Sequence, residues 1–356
     1  MNKNLFVVLM AGGVGVRFWP YSRNSKPKQF LDVLGTGKTL LQSTYERFLP
    51  ICPVENIFVV THEEHAHLVK TQLPDLQAHQ ILQEPMRKNT AACIAYASYR
   101  IQQINPDAVV IVTPSDHLIM KEDQFLEIIK KASDQAKAQD KLMTLGITPT
   151  RPETGYGYIQ FHTEKNFAKK VKTFTEKPEL ALAKKFLESG DFVWNSGIFI
   201  WGVQAIMNSF RQYLPEMVEV FDEVQFGTPE EKDGIIAAYS TCKNISIDYG
   251  IMEKAENVFV CLGNFTWSDL GSWASIHEIS PKDEDNNAVK GNALMYDTRN
   301  CIIRGSGDKL IVAQGLNGYL IGEFGNVFIV CEKDKEEQFR RFVADVKGIA
   351  NANDFL

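Results

Sequence analysis

Short apolar runs alternate with longer amphipathic stretches through the first half of the chain. Leu5–Met10, Ile57–Thr61 and Val109–Thr113 are compact, aliphatic and flanked by polar loops, as buried parallel strands are. Between them, Leu40–Phe48, Glu63–Gln72, Thr90–Ile104 and Glu122–Ala138 read as helices. In Thr90–Ile104 the small and apolar positions Ala91, Ile94, Ala95, Ala97, Ser98 and Ile101 share one face, the signature of a helix packed on a sheet. The alternation predicts an α/β fold with a Rossmann-like, mostly parallel sheet. Ligands of such sheets gather at the carboxyl ends of the strands, here the loops after Met10, Gln83 and Thr113. From Gly155 to Gly263 strands (Tyr156–Phe161, Val171–Thr175, Ile198–Trp201) mix with helices, a lid-like insertion suited to closing over a second substrate. The polar, turn-prone run Pro281–Asn287 reads as a linker. Short β-like runs follow it (Ala293–Tyr296, Cys301–Arg304, Leu310–Ala313, Gly318–Ile321, Val327–Cys331), and then a charged helix from about Lys333 to Val346. The expected division is therefore residues 1–282 and a small β module, 283–356. The module's spacing suggests a short left-handed β-helix-like coil, although no clean hexapeptide period appears. Its expected role is packing or self-association, as in a homodimer.

Length and composition narrow the function. The chain has 356 residues, a net charge of -6 and an ordinary 44% of apolar residues, enough for one large domain and a smaller one. An acidic balance argues against nucleic acid, which favours a broad basic footprint. No stretch approaches a membrane span, and Leu5–Ala11 reads better as a buried first strand than as a signal peptide. The six cysteines are widely spaced with no CxxC pair, a pattern of free thiols in a reducing, cytoplasmic setting. His62, His65 and His67 do not make HExxH, because Ala66 stands where the second histidine belongs; they read as an exposed helix start.

Against that acidic background the segment from Leu5 to Phe30 stands out. A strand enters Gly12, Gly13 and Gly15, then Arg17, Arg23, Lys26 and Lys28, with no acidic residue before Asp32. Glycines let backbone N–H groups converge on phosphate oxygens, and Arg17 and Lys28 add fixed positive charge. The dinucleotide fingerprint is excluded because Phe18 replaces its third glycine, and Gly37-Lys38-Thr39 is no P-loop because Asp32 stands where the first glycine belongs. Asp116, in Thr113-Pro114-Ser115-Asp116-His117, ends a strand and is placed to hold Mg²⁺ or to cap the next helix. Asp269, in an aromatic segment with Trp267 and Trp273, is a candidate to share that metal. Lys177, between a strand and a helix, suits a second phosphate or a capped helix start. Gly155-Tyr156-Gly157-Tyr158 and Trp194-Asn195-Ser196-Gly197 offer sugar-binding surfaces or plain turns.

Taken in order, AGGVGVRFWPYSR with PKQF, EPMRKNTA, PSDH, GYGYI, FTEKP, NSGIF, SIDYGIME and WSDLGSW resemble the nucleotidyltransferases that activate sugar phosphates. The RFWP, NTA, PSDH and SIDY elements are most similar to the bacterial mannose-1-phosphate guanylyltransferase branch. That resemblance implies an enzyme transferring GMP from GTP to mannose 1-phosphate, with Mg²⁺ as cofactor. Gly12, Gly13, Gly15 and Arg17 would cradle the GTP phosphates, and Lys28 would balance charge near the α-phosphate. Glu84, Asn89 and Thr90 would line the base and ribose. Asp116 and Asp269 would hold the metal. Gly155, Glu176 and Asn195 would contact the sugar, and Lys177 its phosphate. The pattern departs at Ala92 and Cys93, where the family's NTAPA reads NTAAC, and at Gly250, where SIDYA reads SIDYG. Many members carry a fused isomerase domain; a chain ending at Leu356 is expected to catalyse the transferase step alone.

Overall fold

The computed structural model describes residues 2–138 and 140–356. The apolar runs become β1 (Leu5–Met10), β2 (Ile57–His62), β3 (Ile81–Glu84) and β4 (Val109–Pro114), paired in parallel in the order β3-β2-β1-β4. The sheet continues through β5 (Leu142–Ile147), β6 (Tyr158–Phe161), β7 (Ala168–Thr175), β8 (Phe192–Gly202) and β9 (Val258–Gly263), in the order β4-β8-β5-β9-β7-β6. Strand β8 is antiparallel to β4, β5 and β6, and β7 is antiparallel to β9 and β6, while β5 and β9 are parallel. Hence seven of the nine strands run one way and only β7 and β8 oppose them. The expected mostly parallel sheet is present. Because β6 also pairs with β8, the succession β8-β5-β9-β7-β6 closes on itself. The stretch expected as a lid is therefore hydrogen-bonded into the sheet.

Helices α1 (Leu40–Phe48), α2 (Ala66–Gln72), α3 (Asn89–Ile104) and α4 (Glu122–Ala138) follow the predicted pattern. A 3-10 turn, Glu63–His65, occupies the start expected for α2, and there His62 and His65 are buried rather than exposed. Strand residues Phe6, Val8, Phe58, Val60, Val110 and Val112 meet α3; the alternate positions Val7, Leu9 and Ile111 are buried on the opposite face. Helix α3 buries every residue from Ala91 to Tyr99, not one face alone. Its outer side lies under α6 (Val203–Tyr213) and α7 (Pro215–Asp222), which follow α5 (Leu180–Ser189). No helix among the described residues is long and apolar enough to cross a membrane.

The chain forms two compact units that do not follow chain order. The first takes in residues through Gly12, Leu41–Ser115 and Ile119–Trp267; the second comprises Gly13–Leu40, Asp116–Leu118 and Ser268–Leu356. The division falls inside the glycine-rich loop. In the second unit Phe18, Trp19, Leu31 and Val33 share a core with Leu270, Trp273, Ile302, Leu320, Ile329 and Phe339. Its strands are β10 (Ala288–Lys290), β11 (Asn292–Tyr296), β12 (Ile302–Arg304), β13 (Leu310–Gln314), β14 (Tyr319–Phe324) and β15 (Val327–Glu332). Strands β10, β12 and β14 pair in parallel, β15 turns back antiparallel on β14, and β11 pairs in parallel with β13. Cys301, Ile303, Ile311, Ala313 and Ile321 fill the interior. After α8 (Glu231–Thr241) and α9 (Trp273–Ile279) the last helix, α10, runs Glu336–Val346. It starts later than expected because the Lys333 amide still donates to the Gly318 carbonyl at 3.0 Å, prolonging the pairing of β15 with β14.

Candidate active site

The second unit contains a cleft of about 580 Å³ lined by Gly15, Val16, Arg17, Phe18, Lys28, Asp116, His117, Asp269 and Gly271, with Arg340, Val343, Ala344 and Lys347 from the C-terminal helix region. Five residues singled out from sequence, Gly15, Arg17, Lys28, Asp116 and Asp269, thus meet although separated by up to 254 positions (269 − 15). Gly15 has a left-handed backbone, φ 68°, and a Cβ there would lie 2.8 Å from the Cβ of Lys28. Only glycine satisfies both demands. The next three residues form a 3-10 turn, Val16–Phe18, that carries Arg17. Gly13 is exposed and a side chain there would meet nothing, so its backbone lies open to a ligand.

Lys28 is nearly inaccessible, at 3% exposure. Its Nζ lies 2.8 Å from Asp116 Oδ2 and donates to the Asp269 carbonyl at 2.7 Å. Burial pushes the Asp116 carboxyl up, but Lys28 and then His117 outweigh that and hold it below the usual range. Asp269 Oδ1 accepts the Gly271 amide at 2.9 Å. The intervening Leu270 adopts φ 46°, rare for a branched side chain, and is held there by complete burial. Two carboxylates in one cleft suit Mg²⁺, which takes one or two protein carboxylates and completes its shell with water and substrate phosphates. No cluster of three or more His, Cys, Asp or Glu suited to a metal occurs among the described residues, so any cation here would need those further ligands.

Arg23, counted among the loop's cations, is used otherwise: its guanidinium donates to the carbonyls of Pro20, Phe324 and Asp354. The false P-loop also has a structural explanation. The Asp32 carboxylate accepts the amides of Gly35, Thr36 and Gly37 at 2.7–2.9 Å, so those donors are already satisfied from within.

In the first unit the remaining candidates form two groups. Glu84, at the carboxyl end of β3, is 5% exposed; it accepts from Tyr239 Oη at 3.1 Å, and a Cβ on Gly12 would come within 2.9 Å of its Oε2. Burial lifts its pKa to about 7, opposed by Tyr239 and Arg87. Asn89 opens α3 with φ 66°, and Thr90 Oγ1 accepts the Ile247 amide at 2.9 Å. Ala92 and Cys93 are buried in an uninterrupted α3.

The second group surrounds Asn195, which donates to Asp248 Oδ1 at 2.9 Å and accepts from Thr144 Oγ1 at 3.0 Å. Asp248 begins a π-helical turn, Asp248–Met252. Its pKa rises to about 7, through burial first and Glu176 second, with Lys177 and Asn195 opposing. Glu176 is paired with Lys177, whose φ is 46°. The glycine pressed against Glu176 is Gly157, where a Cβ would lie 2.4 Å from Oε2; the Gly155 amide instead donates to Glu153. Beside them Tyr156 meets Trp194 and Trp267 edge-on, each at 5.1 Å. A Cβ on Gly250 would lie 2.9 Å from Leu214 Cδ1, so the end of that leucine would have to shift.

Asp248 and Tyr239 escape a reading of the sequence. Asp248 is visible in SIDYG but reads only as a helix start; Tyr239 lies in a helix with no motif around it.

A glycine-rich loop following β1, and a cleft in the second unit lined by two carboxylates and several cations, mark the class of enzyme that handles nucleotide phosphates. The chain belongs to the nucleotidyl transferase family, whose model matches residues 6–286. It is similar to mannose-1-phosphate guanylyltransferase 2 of Escherichia coli O157:H7, 35% identical over 96% of this chain and 73% of the relative. It is also similar to xanthan biosynthesis protein XanB of Xanthomonas campestris pv. campestris, 35% identical over 97% of this chain and 74% of the relative. Among solved structures, mannose-1-phosphate geranyltransferase from Thermus thermophilus superposes with a TM-score of 0.87 at 30% identity, covering 97% of this chain and all of the other.

Proposed function

We propose that this enzyme transfers GMP from GTP to mannose 1-phosphate, giving GDP-mannose and pyrophosphate. The observation that carries the reading is the cleft in which Gly15, Arg17, Lys28, Asp116 and Asp269 converge; relatives named for this reaction support the sugar and the base. A sugar-phosphate oxygen attacks the α-phosphorus and forms the new P–O bond. The bond from α-phosphorus to its bridging oxygen breaks, and pyrophosphate leaves with the electron pair. The nucleophile is already anionic, so no general base is needed. The chain's task is to position two mutually repelling anions and stabilise charge on the leaving group.

In this reading Gly12, Gly13, Gly15 and Arg17 hold the triphosphate. Lys28 keeps Asp116 ionised and orients the Asp269 loop. Glu84, Asn89 and Thr90 line the nucleoside. Gly155, Glu176 and Asn195 hold mannose, and Lys177 its phosphate. Asp116 and Asp269 would hold Mg²⁺, which when bound supplies charge neutralisation at the phosphates.

Residues 1–282 are assigned the chemistry and 283–356 the appended β module, and a cytoplasmic location fits a sugar-nucleotide biosynthetic role. Ile302 to Leu320 and Asn292 to Leu310 each advance 18 residues between paired positions. Eighteen is three hexapeptides, which supports one regular turn of a β-helix-like coil, whereas Ala288 to Ile302 advances only 14. The test of the activity is pyrophosphate release from GTP, ATP, UTP and dTTP, each with mannose or glucose 1-phosphate. GTP with mannose 1-phosphate should give the highest kcat/KM; another preferred pair would overturn the assignment. Binding of GDP-mannose without any turnover would mark a sensing relative instead.

A further inference from the structure

We propose that Arg340 and Lys347, presented by the C-terminal helix region, bind the β- and γ-phosphates of the nucleotide and the departing pyrophosphate. The inference rests on the nucleotidyl-transfer reading and extends it to a segment otherwise assigned to packing. Both residues line the cleft that holds Gly15, Arg17, Asp116 and Asp269. They stand seven positions apart, two helical turns, so they project from one face; Val343 and Ala344 between them line the same cleft. Helix α10 is a firm support for them. Phe339 is 1% exposed in the unit's core, with Phe342, Val343 and Val346 packed against it. The helix also packs on the turn Val16–Phe18 that carries Arg17.

Charge supplies the chemical reason. Arg17 and Lys28 are balanced in number by Asp116 and Asp269, and Lys28 is engaged by Asp116 at 2.8 Å. A triphosphate brings about four negative charges into this space, and cations aimed at the leaving group are what phosphoryl-transfer sites use. Arg340 and Lys347 give the cleft a net positive lining. A planar guanidinium suits two phosphate oxygens at once, and an ammonium acts as a point charge beside them.

The test compares wild type with Arg340→Ala, Lys347→Ala, the double variant, Arg340→Lys, and Arg341→Ala as a control. Arg341 is 74% exposed, pairs with Asp345 at 3.7 Å, and is not a cleft residue. Forward kinetics gives KM for GTP and mannose 1-phosphate; the reverse reaction gives KM for pyrophosphate and GDP-mannose. Titration calorimetry measures magnesium pyrophosphate binding without turnover. The double variant should raise KM for GTP and pyrophosphate about tenfold or more, the scale of a lost charged hydrogen bond. Mannose 1-phosphate and GDP-mannose should change less than about twofold, a factor small beside any charge-assisted contact. Arg340→Lys should recover part of the loss, and Arg341→Ala should leave all four constants unchanged. Unaltered pyrophosphate affinity in the double variant overturns the inference whatever the enzyme's activity. So does an equal loss in Arg341→Ala, which would reduce the effect to bulk charge. A wild type that binds pyrophosphate through these residues but makes no GDP-mannose would instead overturn the proposed reaction.

Discussion

Arg17 and Lys28 carry the same charge in the same loop, yet their surroundings separate them. Lys28 is buried and bonded to Asp116 and the Asp269 carbonyl, whereas Arg17 sits partly exposed on the cleft wall. Arg17→Ala is expected to lower kcat/KM about 10²–10³-fold, the scale of losing one transition-state donor, with a smaller fall in Tm by calorimetry than Lys28→Ala. Lys28→Ala should lower both activity and Tm, because stranding a buried acceptor costs about 1–3 kcal/mol. From sequence, Lys28 stands directly at a phosphate with no structural cost. Spacing cannot reveal that a lysine is buried. Asp248 is a second case. Burial and Glu176 raise its pKa to about 7, so the fold favours its protonated form. That contribution is complete below about pH 4, the unfolded carboxyl's range, and is lost as pH rises through about 7. Asp248→Asn removes this dependence: relative to wild type, the variant should gain Tm between pH 5 and pH 8 in thermal melts. A constant difference between the two proteins would contradict the assignment.

At the scale of elements, strands buried on both faces are the most legible. Leu5–Met10 and the helix Leu40–Phe48 appear with the limits predicted, since continuous aliphatic runs and 3.6-residue spacing are local signals. Strands β5 and β9 are not legible in the same way: Leu142–Ile147 carries Thr144 and Gly146 between its aliphatics, and Val258–Gly263 ends in Gly263. Strand β8 reads as four residues from sequence and spans eleven, because Asn195, Ser196 and Gly197 look like a turn. There tertiary pairing with β5 and β6 overrides the local signal. The third loop cation, Arg23, is an element-scale fastener. It donates to carbonyls of the loop itself, of β14 and of the C-terminal segment. Arg23→Ala should cost about 2 kcal/mol, seen as a lower midpoint in urea at unchanged m-value.

For the whole molecule, the β module presents an apolar strip to solvent. Leu294, Tyr296, Leu310 and Val312 lie on the paired strands β11 and β13, and Phe328 and Val330 lie on β15; all six are at least 47% exposed. Such a strip supports self-association. If the expected self-association runs through this strip, Leu310→Asp with Val312→Asp should lower the mass measured by light scattering; a wild type that is already monomeric would contradict the expectation. The segment Gly13–Leu40 has a further consequence for how the protein is made. Its core partners, Ile302, Leu320, Ile329 and Phe339, come some 300 residues later, and Trp19 and Asn24 bond to carbonyls of Phe355 and Leu356. A nascent chain therefore carries its signature loop unfinished until residues beyond about 300 have been made. The loop-closure entropy is met only when the strands from Ile302 to Glu332 and the helix Glu336–Val346 emerge, so a ribosome stalled before them would hold a catalytically silent chain while most of its sheet is already folded.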